Sequence, residues 1–171
     1  MPIPIVVDVN DADLRQTFLN QTLPQAIDQL NEDSVRKWGQ MTPQLMVEHL
    51  IWAFEVSRGE GQVDCPIPER LRQRMKAFLF NNMPTPQEFR NPAIPDELMP
   101  LQYPNLRAAV AALKTEINQF DLYTREHPDA VHDHTAFGPL SAQEWNRSHY
   151  KHCIHHLLQF GLVEQEETRA V

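Results

Sequence analysis

Apolar residues recur at intervals of three and four along most of this 171-residue chain, and this spacing constrains the fold more than any other feature of the sequence. In an α-helix such residues share one face, and that face has to be buried against another element. Strand-like alternation appears only over residues 3–9. We therefore expect an all-α fold, a four-helix bundle with additional short helices. The pattern predicts helices over residues 11–20, 23–32, 42–58, 68–80, 105–122 and 141–160.

Residues that start or stop helices stand at several of these boundaries. Thr22 and Thr42 are predicted N-caps, and each has a proline close behind it, where the first helical turn tolerates one. Ser141, with Glu144 three positions on, has the capping-box pattern. Gly161 suits the left-handed position that ends a helix. The last helix is therefore bounded at both ends.

A proline-rich segment, about residues 82–104, separates the early helices from the late ones. Each proline removes a backbone donor and clashes with the preceding turn, so the segment is predicted to be a long crossover without regular helix. It exceeds the usual helix-to-helix connection of roughly 2–8 residues, so the helices that it joins need not be neighbours. A chain of this length suits one domain, and residues 1–171 are predicted to form a single helical-bundle domain. The prolines are Pro84, Pro86, Pro92, Pro95, Pro100 and Pro104.

Charge and composition exclude several classes of partner. Lys+Arg minus Asp+Glu is 15 − 23 = −8, which argues against nucleic acid because phosphate binding needs a basic face. No apolar run approaches the 18 or so residues of a spanning helix, so we expect a soluble chain without a membrane partner. The N-terminus lacks the pattern of a secretory signal, and Cys65 and Cys153 do not indicate a disulfide framework. A cytoplasmic location is the expectation.

The histidines are unevenly distributed: seven of the eight follow residue 126. At about 100° per residue, His149, His152 and His156 share an arc of the last helix with Cys153, Trp145 and Phe160, whereas His155 points elsewhere. This face is predicted to point into the bundle. His152 and His156 stand at i and i+4, so both rings can reach one metal ion.

A third ligand would have to come from another helix. His49 is the candidate, because it lies on the inward stripe of the helix that begins at Thr42, whereas Glu48 and Glu55 are predicted to lie off that stripe. A single inward histidine is more often hydrogen-bonded than metallated. Burying several rings without partners costs about 1–3 kcal/mol each, however, and one ion satisfies several, so the cluster favours a metal site. Cys153 is either a ligand or a small core residue.

Two segments of the chain resemble a known family. HTAFGPLSAQEWNRSHYKHCIHHLLQFG, residues 134–161, resembles the C-terminal signature of a branch of the DinB/YfiT-like metalloenzyme superfamily. That signature reads approximately H-P-x-F-G-x-L-(S/T)-x-x-E-W, then Y-K-H-x-x-H-H-x-x-Q-F-G. MTPQLMVEHL, residues 41–50, resembles the first histidine motif of the branch. The motifs cover about forty residues, and Thr135 departs from the usual proline.

The resemblance implies a DinB-like four-helix bundle whose metal is held by His49, His152 and His156. His149 and Cys153 match no ligand of the family. Three further residues are candidates for supporting or pocket-lining positions: His134, His149 and Gln159. For His134 the alternative is an ordinary loop that orients the last helix. Gln159 is expected to bond a neighbouring backbone rather than the metal.

The resemblance also indicates a chemistry. Three histidine ligands leave a divalent transition metal, zinc or nickel first, with an open position. Relatives include enzymes that use low-molecular-weight thiols, so the first hypothesis is a metal-dependent thiol transferase or hydrolase. In it the ion activates a thiol, or water, for attack on an electrophilic small molecule. The alternatives are a non-catalytic metal- or ligand-binding bundle, and an empty site whose histidines only pack. Superfamily members often pair through a helix face, so a homodimer is implied by the resemblance and not by the residues.

Overall fold

The computed structural model describes residues 1–61, 63–87, 89–91 and 99–167. The helices are α1 (Ala12–Thr17), α2 (Leu23–Ile27), α3 (Pro43–Ser57), α4 (Glu69–Lys76), α5 (Leu106–Glu126) and α6 (Ala142–Gln159). The strands are β1 (Ile3–Ile5), β2 (Val131–His134), β3 (Gly138–Ser141) and β4 (Val163–Gln165). Among the described residues, no helix is both long and apolar enough to cross a membrane.

The expectation of an all-α fold is wrong, because the chain also forms two small two-stranded sheets. In one sheet β1 runs parallel to β4, with Ile3 opposite Val163. In the other, β2 and β3 form an antiparallel hairpin directly before α6. The alternation over residues 3–9 coincides with β1, but the partner of β1 lies at the far end of the sequence, and the other strands, of three or four residues, are too short to show a period of two. Local spacing therefore could not predict how the strands pair.

The first helical region is continuous rather than divided by a cap at Thr22. Between α1 and α2 the chain forms a π-helical turn, Phe18–Thr22, and Thr22 has helical dihedral angles with no side-chain cap. Pro24 has no N–H to donate and its ring crowds the carbonyl four residues earlier. A widened turn at this point accommodates the proline without ending the helix.

The long helices α3, α5 and α6 build the core together with the α1–α2 region. Their predicted starts are confirmed: the Thr42 side chain accepts from Leu45 N, and Ser141 and Glu144 form the reciprocal capping box. Gly161, with φ of 64°, follows the end of α6 as expected. These boundaries were predictable because each cap lies within a few residues of the groups that it satisfies.

Helix α4 differs from the prediction of an inward stripe. None of its residues is buried, and Leu71 is 39% exposed. The core contact of this region comes instead from Leu79, which is fully buried in the short 3₁₀ helix Ala77–Phe80 that follows. The helical period of 3.6 residues per turn falls to about 3 where α4 changes to the 3₁₀ helix. The residues that face the core are therefore not those that the α-helical spacing predicts.

The described parts of the crossover contain no helix or strand between Phe80 and α5; residues 92–98, with Pro92 and Pro95, lie outside the described residues. Glu48, which was expected off the core stripe, anchors the end of this crossover. It is buried, and its carboxylate accepts from Gln102 N at 2.7 Å and from Tyr103 N at 3.0 Å. The carboxylate therefore joins α3 to the start of α5 and faces backbone donors rather than histidines.

Candidate metal centre

Three histidines from two helices converge, as the sequence predicted. His49 Nε2 lies 2.9 Å from His152 Nε2, and His152 Nε2 lies 3.1 Å from His156 Nε2. One ligand atom from each of the three lies within 4.8 Å of the others, an arrangement that can hold a metal ion. We call His49, His152 and His156 the triad. Helix α3 supplies the first residue, and one turn of α6 supplies the other two.

The electrostatics of the triad favour neutral rings. Burial lowers the pKa of His49 to about 4 and lowers the pKa values of His152 and His156 well below the ordinary value. The positive form of each neighbouring ring would lower these pKa values further. Neutral imidazole carries one nitrogen with a free lone pair, which is the form that binds a metal.

The distances within the triad are compatible with one shared ion. His152 Nε2 faces both other Nε2 atoms but offers either one proton or one lone pair, so it cannot make a good hydrogen bond to both. A tetrahedral zinc ion with bonds of about 2.0–2.1 Å separates its nitrogen ligands by about 3.3 Å. The two separations from His152 Nε2 are within a few tenths of an ångström of that value, and the ligand atoms of His49 and His156 lie within 4.8 Å of each other.

A hydrogen-bond chain sets the tautomer of His156. Gln159 Nε2 donates to the Trp38 carbonyl at 3.1 Å. This contact fixes the orientation of the amide group, so that its oxygen faces His156. That oxygen, Gln159 Oε1, lies 2.8 Å from His156 Nδ1 and can only accept, so Nδ1 carries the proton. The lone pair of His156 is therefore on Nε2, the atom that faces the triad. Gln159 bonds a backbone, as expected, and it also orients the ring of His156.

The loop before α3 holds Gln159 in place. Lys37 N donates to Gln159 O at 2.7 Å, so the loop is bonded to the end of α6 through the backbone as well. Gly39 has φ of +76°, and a Cβ at this position would lie 2.8 Å from Gln159 Nε2. Glycine thus permits both the backbone conformation and the close approach.

His149 does not join the triad. It is 1% exposed and stacks on Phe54 with ring centroids 4.0 Å apart, while Phe120 meets it edge-on at 4.7 Å. Burial lowers its pKa well below the ordinary value, and its Nε2 has no hydrogen-bond partner. Its place is thus an aromatic layer of the core between α3, α5 and α6.

His134 lies in the β2–β3 hairpin. Its Nδ1 accepts from Ala136 N at 2.9 Å and from Phe137 N at 3.3 Å, which shapes the turn before α6. The ring packs against Phe137 and Trp145. Trp145 precedes His152 by seven residues, about 10 Å along the helix axis. The contacts are those of a residue that orients the last helix.

The remaining candidates divide between core and surface. Cys153 is fully buried, and burial raises the pKa of its thiol, so it belongs to the core rather than to the ligand set found among the described residues. His132 lies in β2, and its Nε2 is hydrogen-bonded to the Tyr123 hydroxyl at 2.7 Å. His127 is exposed at the end of α5.

Two tryptophans at the site were not predicted to act there. The Trp52 ring lies roughly parallel to the His49 ring, with centroids 5.9 Å apart, and packs beside the triad. Its spacing of three residues from His49 was the available signal. Trp38 acts through its carbonyl on Gln159, and no local pattern marks a backbone carbonyl as part of a site.

The arrangement can bind an ion. His156 is buried, while His49 and His152 are partly exposed as whole residues. Three protein ligands leave at least one coordination position for water or substrate. No protein-family model, curated protein or solved structure matches the chain. The functional conclusion therefore depends on the triad and its surroundings.

Proposed function

We propose that the triad binds one divalent transition metal ion, zinc or nickel, and that the chain is a metal-dependent enzyme. Its nucleophile is a low-molecular-weight thiol or water, and its substrate is an electrophilic small molecule. The observation that carries the proposal is the convergence of three neutral imidazoles, one of them held by Gln159 in the tautomer that a metal requires. The resemblance of residues 41–50 and 134–161 to the DinB/YfiT-like superfamily supports the same ligands and the same chemistry.

The residues of the chain do the positioning. When bound, the ion would lower the pKa of a coordinated water or thiol and so supply a nucleophile near neutral pH. Gln159 fixes the ring of His156, and helix α6 fixes the spacing between His152 and His156. Trp52 shields one side of His49 and offers an apolar surface to a substrate. In this proposal the substrate approaches from the side of His49 and His152, the two partly exposed members of the triad.

Metal content tests the first half of the proposal. Protein purified without a histidine tag should carry close to one equivalent of zinc or nickel by elemental analysis. His49→Ala and His156→Ala should reduce this to below about a tenth of an equivalent, because two imidazoles hold an ion far less tightly. His127→Ala is the matched control, since His127 is exposed and remote from the triad in the sequence. Equal metal content in all four proteins would overturn the site.

Thiol titration tests the second half. Cobalt-loaded protein should develop a sulfur-to-cobalt charge-transfer band when glutathione or cysteine is added, and His49→Ala should not. Thiol-dependent turnover of an electrophile such as a haloalkane would then identify a transferase, and turnover of an ester or amide without thiol would identify a hydrolase. Full cobalt occupancy with no response to thiols, esters or amides would instead indicate a non-catalytic metal-binding bundle.

A further inference from the structure

A cavity of about 230 Å³ lies beside α6, on a different face from the triad. Lys151, Ile154, His155 and Leu158 line it from the helix, at the spacing of a single helical face. The segments 7–9 and 81–87 close it from the other side, together with Trp38. None of the triad residues lines this cavity. It holds roughly seven or eight water volumes, which is small for a drug-sized ligand and suits a smaller molecule.

The positive charge on this face has no carboxylate partner. Lys151 is 8% exposed, and its Nζ donates to Phe78 O at 2.6 Å and Asn81 O at 2.8 Å, with Asn81 Oδ1 at 3.5 Å. The same Nζ lies 3.3 Å from the centroid of the Phe78 ring. No ion pair forms to this ammonium among the described residues, although a buried charge is normally paired.

A second residue on the cavity wall, unlike Lys151, has a donor without a partner. Trp38 Nε1 is buried and has no hydrogen-bond partner, although a buried indole N–H usually finds one. The Trp38 ring packs against His155 at a centroid distance of 5.6 Å, so the cavity wall holds both rings together. An unpaired buried donor costs free energy that a ligand acceptor would recover.

The charge and polarity of the remaining lining residues indicate which kind of ligand would fit the cavity. The lining contains no Asp or Glu; seven of its other members are apolar, including Val7, Met83 and Leu158, and the remaining six are polar. A ligand that complements this wall is an anion at one end and apolar at the other. A neutral or cationic ligand would leave the ammonium without a negative charge to balance it.

We propose that this cavity is a binding site for a small organic carboxylate with a short apolar tail, whose carboxylate accepts from Trp38 Nε1 and balances the charge of Lys151. None of the lining residues is a member of the triad, although Trp38 borders both sites, with its ring on the cavity and its carbonyl on Gln159. The tail packs on the aliphatic side chains of α6 and residues 7–9. Octanoate has the right charge and a length that this volume accommodates, so it is the probe.

Nuclear magnetic resonance of the indole N–H groups is the first test. The chain has three tryptophans, and Trp38→Phe identifies the Trp38 signal by its loss. Octanoate should shift that signal in a saturable way, and 1-octanol should not, because it carries the same tail without the charge. The shift should persist in His49→Ala, which separates the cavity from carboxylate binding at the metal. A shift confined to the other two indole signals would overturn the proposal.

Calorimetric affinities give the second test. Trp38→Phe should weaken octanoate binding about tenfold through the loss of one hydrogen bond, while the melting temperature stays level or rises, because the N–H has no partner to lose. Trp145→Phe is the matched control: it should lower the melting temperature, since Trp145 Nε1 donates to His132 O, and leave octanoate affinity unchanged.

Lys151→Met should weaken octanoate binding more than Trp38→Phe, with exposed Lys114→Met as its control. Lys151 also holds two backbone carbonyls, so this variant is first checked for folding by circular dichroism. If Lys151→Met unfolds, Leu158→Trp is used in its place. The larger side chain should fill the cavity and abolish octanoate binding. If Trp38→Phe and Leu158→Trp, as separate variants, both bind octanoate with the wild-type affinity, the proposed site is refuted.

Discussion

His156 owes its role to its partner as much as to its spacing from His152. The i, i+4 spacing brings two rings to one side of α6, but it leaves open which nitrogen of each ring carries the proton. Gln159 decides this for His156 by accepting from Nδ1, and the Trp38 carbonyl decides the orientation of Gln159. Metal affinity should therefore depend on a residue that never touches the ion.

Replacing Gln159 tests this dependence. Gln159→Leu should weaken metal binding about 10–100-fold, the usual effect of losing a hydrogen bond that orients a ligand. Affinity is measured by competition with a chromophoric chelator. Gln143→Leu, an exposed glutamine on the same helix, should bind metal as the wild type does. Equal metal affinities for Gln159→Leu and Gln143→Leu would mean that the hydrogen bond from His156 to Gln159 does not contribute to metal binding.

Buried neutral histidines also make stability depend on pH. Burial lowers the pKa of His134 to about 4 from an ordinary 6.5, so between these values the unfolded chain binds more protons than the folded one. The free energy of unfolding of metal-free protein should therefore fall as pH drops from about 6.5 to about 4. Each such histidine contributes a slope of at most about 1.4 kcal/mol per pH unit.

Urea titrations at several pH values measure the slope. His134→Asn keeps an acceptor for Ala136 N and Phe137 N but cannot titrate, so its slope should be smaller by up to one proton's contribution. Gln143→Asn, at an exposed position, removes no titratable group and should leave the slope as in the wild type. A His134→Asn slope equal to that of the wild type would contradict the assignment of a buried neutral ring.

Among the elements, the contact between the loop before α3 and the end of α6 determines how firmly the site is held. The loop approaches closely at position 39, where φ is +76° and a Cβ would lie 2.8 Å from Gln159 Nε2, so any larger residue would displace that side chain. The loop, the glutamine and the histidine thus form one connected unit. Changes in the loop should reach the metal through that unit.

A pair of glycine variants separates backbone strain from this contact. Gly39→Ala and Gly61→Ala both place alanine at positive φ, so each should lose about 1 kcal/mol of stability in chemical denaturation. A Cβ at Gly61 meets nothing within 4 Å, whereas a Cβ at Gly39 displaces Gln159. Only Gly39→Ala should therefore weaken metal binding, by several-fold. Equal metal affinities would show that Gln159 adjusts freely.

At the scale of the whole molecule, the triad joins parts of the chain that are far apart in sequence. His49 and His152 are separated by 103 residues, and they belong to two of the helices that build the core. An ion held by both would link α3 to α6 in the folded state alone. Metal binding should therefore stabilise the fold as a whole.

Metal-linked stability is the corresponding measurement. At a free metal concentration a hundred times the dissociation constant, the free energy of unfolding should rise by about 2.7 kcal/mol, since the unfolded chain has no preformed site. A chelator should reverse the gain. His49→Ala should show no gain at the same metal concentration, and exposed His127→Ala should show all of it. A gain of equal size in His49→Ala would place the stabilising ion elsewhere.

Several features of the fold and of the triad could be predicted from local sequence. The starts of α3 and α6 followed from Thr42 and Ser141, because a cap and the donors that it satisfies lie within one turn. Two members of the triad followed from their i, i+4 spacing, and His49 from its place on the inward stripe. Their convergence is confirmed, while the family, the metal and the reaction stay predictions.

The sequence by itself determined the main helices, most of their boundaries and the identity of the triad, because periodicity and capping act over a few residues. Only the tertiary structure decided the pairing of β1 with β4, the burial of Glu48 under the crossover, and the tautomer of His156. The cavity beside Lys151 belongs to the same group, since segments 7–9, 81–87 and α6 enclose it together. Each of these depends on contacts between residues distant in the chain, which no local spacing records.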